Sequence, residues 1–374
     1  MVTLVQLLAL PIFTARHTWI RLALALTVLS LLSCAPPVRA LAGRVLNFPT
    51  SRSVGKLTAL GKDPQGYFYD KSQLGDARGA VAVPANALVN IDVNWDGLND
   101  LSFLKRLKAC DLQGLELAYS GHGFALDDAS VANFAHLKGL KQLSLEQTDI
   151  GDSGIQKIGQ MSDLELLNLN HTMLTAKGMP YLANLHKLVQ LELEGTQLSD
   201  ASLANIAGHT QLITLFIKAC GLGPAAAQHL QKMNHLKILR LSENKFGDKG
   251  MALLPAYPEL VELHVSNCGL TDAGFAQLVK FPRLITVFAK GNKISGAGFK
   301  ALAQCKKLQY IELTGEPCAL ADVAELRNSK SLTGVWLMPK PGDEAAIKKA
   351  VPKINFRFSS QRGKVPAEFF EPLH

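Results

Sequence analysis

Leu164-Glu165-Leu166-Leu167-Asn168-Leu169-Asn170-His171-Thr172-Met173-Leu174 is the stretch that decides how this chain folds. Leu167 and Leu169 flank one polar residue, the alternation of a short strand with one face buried. Thr172 then breaks the alternation with a small polar side chain. Outward from this stretch the phrase returns every 24 residues, its first leucine recurring at Leu140, Leu188, Leu212, Leu236, Leu260, Leu284, Leu308 and Leu332. Fixed periodicity of this kind marks a solenoid, in which each unit buries its apolar face against its neighbours alone.

The phrase reads L-x-x-L-x-L-x-x-T/N/C-x-L. Two further units begin at Leu88 and Leu112, giving eleven expected units, with a four-residue insertion at Gly121-His122-Gly123-Phe124 before the next one. Position nine is Thr148, Thr172, Thr196, Cys220, Asn244, Cys268 and Asn292. Such a residue is expected to turn inward and hydrogen-bond backbone groups that the bend leaves unpaired. The pairs Gly151-Asp152, Ser199-Asp200, Gly247-Asp248 and Thr271-Asp272 follow, residues suited to capping a helix N-terminus. Apolar residues then recur every third position, as in Ile155, Ile158 and Met161 or Phe299, Leu302 and Cys305, predicting a short helix with one inner face.

These motifs resemble the bacterial leucine-rich repeats written L-x-x-L-x-L-x-x-T-x-[IL]-[ST]-D-x-G, over about residues 88–341. The resemblance implies an α/β solenoid, a horseshoe with a parallel concave sheet and short convex helices. It implies binding rather than a named reaction. Residues 43–87 are expected to form an N-terminal β-rich cap of short strands. Residues 342–374 are expected to form a C-terminal cap and tail, with Asp343 capping a helix and Lys353 to Phe358 adding a last strand.

In such a sheet positions three, five, seven and eight point away from the core. Position five runs Asp92, Glu116, Ser144, Asn168, Glu192, Phe216, Arg240, His264, Phe288, Glu312 and Trp336. Its first half is acidic and polar. From Phe216 onward it is aromatic and basic, with Lys218 and Lys290 beside it at position seven. Large rings interleaved with arginine are the material of interface hot spots, and an exposed phenylalanine needs a reason. Phe216, Lys218, Arg240, His264, Phe288, Lys290 and Trp336 are therefore the candidate ligand-binding residues. His122 and Phe124 on the insertion are further candidates, set against a tolerated length variant. Protein or peptide is the expected ligand class; a glycan stacked on the rings and a self-associating envelope protein are the alternatives.

The net charge of +8 is unevenly placed. Residues 1–42 carry three arginines and no acid, residues 327–374 carry nine basic and four acidic side chains, and the stretch between is balanced. A nucleic-acid binder needs a basic stripe along its working surface, so that class is set aside. Arg16, His17 and Arg21 precede the apolar run Leu22 to Leu32, the pattern of an export signal over residues 1–42. Leu31-Leu32-Ser33-Cys34 reads as a lipobox with Cys34 lipidated, and Ala40-Leu41-Ala42 as an ordinary cleavage site; both place the mature protein outside the cytoplasm.

The six cysteines show no metal-binding or C-x-x-C spacing. Cys220 and Cys268 lie two strands apart, about 9–10 Å, too far for a disulfide. Asp92-Val93-Asn94-Trp95-Asp96-Gly97 resembles a calcium loop, and with the residues after it a dockerin repeat, but Phe103 stands at the twelfth position where an acid is required. No H-E-x-x-H, P-loop or G-x-S-x-G occurs. His209 falls on an inner helix position, where a satisfied core residue is expected. No catalytic residue, metal or cofactor is assigned.

Overall fold

The computed structural model describes residues 43–64, 66–118 and 126–359. The proposed export segment with Cys34, the insertion residues His122 and Phe124, and the tail beyond 359 lie outside them. Contacts divide the chain into a small unit, Met1–Arg44 with Ala82–Asn86, and a large one, Val45–Val81 with Ala87–His374. In the small unit Arg44 Nη1 donates to the Ala85 carbonyl at 3.1 Å.

The strands are β1 (Arg44–Asn47), β2 (Gly55–Lys62), β3 (Phe68–Asp76), β4 (Ala80–Val83), β5 (Leu88–Val93), β6 (Gly114–Glu116), β7 (Gln142–Ser144), β8 (Leu166–Asn168), β9 (Gln190–Glu192), β10 (Thr214–Phe216), β11 (Ile238–Arg240), β12 (Glu262–His264), β13 (Thr286–Phe288), β14 (Tyr310–Cys318), β15 (Gly334–Pro339) and β16 (Asn355–Phe358). β1 and β4 pair alone; the others form a 14-stranded sheet in the order β16 through β5, then β2 and β3. From β5 to β16 every pairing is parallel, and from β7 to β14 the register follows the repeat, so that Leu167 faces Leu191 and Leu191 faces Leu215; β15 keeps it as far as Leu337 and then shifts, and β16 sets Asn355 beside Gly334. Leucines of positions one, four and six, among them Leu164, Leu167, Leu169, Leu188, Leu191 and Leu193, have no exposed surface. Against them pack short helical segments such as Asp152–Ile158, Gly247–Leu253 and Gly296–Leu302. Their inner residues Ile155, Ile158, Phe299, Leu302 and Cys305 are buried.

Position nine forms a buried polar ladder. Thr148, Thr172 and Thr196 donate to the carbonyls of Leu145, Leu169 and Leu193 at 2.5–2.8 Å. Asn292 does more: its Oδ1 accepts from the N–H groups of Cys268 and Leu270, and its Nδ2 donates to the carbonyls of Val265 and Ala289. Asn244 repeats this one unit pair earlier. The Cys220 and Cys268 thiols lie free and buried in the same ladder, donating to the Leu193 and Leu241 carbonyls. Burial pushes both up to about 11, so they stay protonated.

The aspartates that follow differ from the capping expectation. Ser199 and Thr271 do cap their helical segments. The aspartates of these pairs instead reach one unit onward: Asp152 accepts from the N–H and hydroxyl of Thr175, Asp248 from those of Thr271, and Asp272 from those of Ser295. Asp200 accepts from the Gly223 N–H at 2.6 Å. Capping and bridging call for the same residue types, because both offer acceptors to free N–H groups. Asp343 stands at the N-cap of the helix Glu344–Ala350 without a side-chain cap bond and accepts instead from the Leu320 N–H of the unit before it, at 3.2 Å.

Residues 43–87 are rich in strand; β1 and β4 are short, but the other two are not. β2 and β3 are eight and nine residues long and form an antiparallel hairpin, β2 also pairing antiparallel with β5. Register shifts at Leu57/Thr58 and Ala59/Leu60 bend it.

Candidate functional site

On the face of the sheet away from the helices, position five is one continuous row. Register sets Glu192 beside Phe216, then Arg240, His264, Phe288, Glu312, Trp336 and finally Arg357 of β16. The structure thus brings Phe216, Arg240, His264, Phe288 and Trp336 together, each about 4.8 Å from the next strand's residue.

The rings are not presented alike. Phe216 is only 8% exposed, because the Arg240 guanidinium lies 3.8 Å from its ring centroid. It is a platform rather than the exposed hot spot that the sequence suggested. Arg240 Nη1 also stands 3.7 Å from Glu194 Oε1. His264 stacks on Phe288 with centroids 4.2 Å apart, and its Nε2 lies 2.6 Å from Glu262 Oε1. Burial would push the Glu262 carboxyl up, but the His264 contact outweighs it and holds the group below its usual range. Trp336 is half-buried, with the Arg357 guanidinium 5.0 Å from its ring. Lys218 pairs with Glu243 at 3.2 Å, whereas Lys290 is exposed.

The acidic half behaves differently. Glu192 accepts from Gln190 Nε2 and Asn170 Nδ2, yet burial still raises its carboxyl. Glu116 is raised by burial first and then by Asp92. The calcium-like segment and the residues after it use side-chain oxygens for capping: Asn94 accepts from Gly97 N–H and Asp100 from Ser102 N–H, each at 3.0 Å. His209 is buried with its nitrogens 3.2 and 3.1 Å from the Ile206 and Leu182 carbonyls, and burial lowers it.

Sequence reasoning missed the hairpin's part in this face. Beyond β5 its turn reaches across several strands: Tyr67 Oη lies 2.9 Å from Thr214 Oγ1 on β10. Lys62 pairs with Glu165, which also accepts from Lys141 at 2.6 Å. Burial opposes ionisation of Glu165, but the two lysines hold it below its usual range. The sequence carried little signal for it: Phe68–Asp76 reads Phe-Tyr-Asp-Lys-Ser-Gln-Leu-Gly-Asp, with no alternation of apolar and polar residues and only two half-buried positions.

A family model described as a leucine rich repeat matches residues 137–159 and 232–254. Together with the period and the parallel sheet, this makes the chain a leucine-rich-repeat solenoid. No curated protein matches it. Among solved structures, an internalin, InlF of Listeria monocytogenes, is similar at 19% identity over 71% of this chain and 69% of that one, with a TM-score of 0.49. The plant peptide hormone receptor RGFR1, solved in complex with RGF2, is similar at 18% identity over 60% of this chain and 36% of that one, with a TM-score of 0.39.

Proposed function

We propose that this protein is a non-enzymatic scaffold that binds a protein or peptide on the outer face of its sheet. The observation that supports it is the row of rings and cations from Phe216 to Phe288, resumed by Trp336 beyond Glu312 and held in register by strands bonded on both sides. A surface already ordered loses little entropy on binding. In this reading Arg240, His264, Phe288 and Trp336 touch the ligand, Phe216 supports Arg240 from beneath, and Lys218 and Lys290 flank the row.

The test is affinity capture with the full chain as bait, against an Arg240→Glu, Phe288→Ala, Lys290→Glu variant whose melting is unchanged. These substitutions leave Phe216 in place. We expect a partner retained by the wild type to fall at least tenfold with the variant. Equal retention by both would move the site off this row.

The export reading belongs to the same proposal. Among the described residues no helix is long and apolar enough to cross a membrane. The anchor this reading invokes is a lipid on Cys34 or the apolar run Leu22 to Leu32. Cys34→Ser is expected to shift the protein from the membrane to the soluble fraction; unchanged partition would exclude lipidation as the anchor.

A further inference from the structure

The row twice lays a guanidinium on a ring, the first time with a carboxylate alongside. Arg240 sits on Phe216 with Glu194 at 3.7 Å, and Arg357 sits on Trp336. Between Phe288 and Trp336 the arrangement is incomplete. Glu312 lies in register between them, and among the described residues it meets no cation. Its one polar partner is Thr314, whose hydroxyl donates to Oε1 at 2.9 Å. A hollow opens at this point, lined by Thr286, Phe288, Tyr310, Glu312 and Trp336. Its two walls leave the backbone two strands apart, about 10 Å at the usual spacing, which leaves room for one flat group between rings.

A carboxylate flanked by aromatic faces attracts a cation twice over, through its charge and through the ring quadrupoles. A guanidinium suits the place better than an ammonium, since it stacks flat and offers paired N–H donors to a carboxylate. The Trp336 indole N–H, buried beside the slot and without an acceptor among the described residues, reports on what enters it. An arginine side chain is the cation of this shape that a protein or peptide supplies. We propose that the hollow over β14 is an arginine-binding slot, taking an arginine side chain of a protein partner between Phe288 and Trp336 against Glu312. This deepens the binding reading above and rests on it.

The test uses the full chain with indole-labelled tryptophan, the Trp336 signal being identified by its loss in Trp336→Phe. The probes are acetyl-Gly-Arg-Gly-amide and its neutral citrulline counterpart. We expect a saturable shift of the Trp336 indole signal with the arginine peptide, at least fivefold weaker with citrulline. Glu312→Gln should weaken arginine binding to the citrulline level, with the fold unchanged by circular dichroism. Equal response to both peptides, or an unaffected Glu312→Gln variant, would overturn the slot. A response that appears only once Arg362 and Lys364 are replaced by Gln would assign the slot to the chain's own C-terminal segment and overturn an external partner. Failure of these peptides leaves the capture experiment untouched, so the slot and the wider binding face fail separately.

Discussion

Position eight of the phrase carries a backbone demand that its side chains conceal. Gln147, His171, Ala219, Glu243 and Asn267 all have φ between 52° and 62°, and Gly195 and Gly291 occupy the same place at 71° and 68°. The left-handed turn aims each N–H at the next strand, as Ala219 N–H donates to the Ser242 carbonyl at 2.9 Å. For an L residue this conformation costs about 1–2 kcal/mol, partly offset for glycine by its freer unfolded chain. Ala219→Gly is therefore expected to stabilise the protein by about 0.5–1 kcal/mol in urea unfolding; a loss of stability would show that the methyl group's packing outweighs its backbone strain. Gly195, Gly291 and Asn267 hint at a left-handed turn here, but Gln147, Ala219 and Glu243 at the same place mask it. The inward side chain at position nine was legible, because few residue types are both small and able to bond backbone on two sides. The covering of Phe216 was half legible: the period set Arg240 beside it, but a cation's choice between solvent and a ring is made in three dimensions.

Among the elements, the joints between helical segments explain the end of the repeat phrase. Asp248 bonds the Thr271 backbone and hydroxyl, and Gly274 three residues later makes room for it; a Cβ on Gly274 would lie 2.4 Å from Asp248 Oδ1. Gly298 stands in the same relation to Asp272, at 2.5 Å. The letters [ST]-D-x-G therefore describe two units at once, the aspartate of one and the threonine and glycine of the next. We expect Gly274→Ala to destabilise the wild type more than it destabilises an Asp248→Ala background, with a coupling of about 1 kcal/mol or more in a double-mutant cycle. Additive costs would mean that Leu270, whose Cβ lies 3.2 Å from the added methyl, sets the price instead. The period revealed where these residues recur but not that they join different units, since a strict repeat aligns a residue equally with its own unit and with the next.

Within the large unit, the repeat made the parallel sheet, its register from β7 to β14 and its buried leucines legible, because each depends on contacts between residues 24 positions apart. The hairpin of β2 and β3 obeys no such rule. Its contacts join Lys62 to Glu165 and Tyr67 to Thr214, separations of 103 and 147 residues that no local pattern encodes. In an array whose units touch only their neighbours, stability is a sum of nearest-neighbour terms, and unfolding can begin at either end and advance one unit at a time. A brace from β2 to β10 breaks that independence. It raises the contact order of the amino-terminal half, and it gives β5 through β10 a shared fate: the first of them cannot fray without releasing the brace from all the rest.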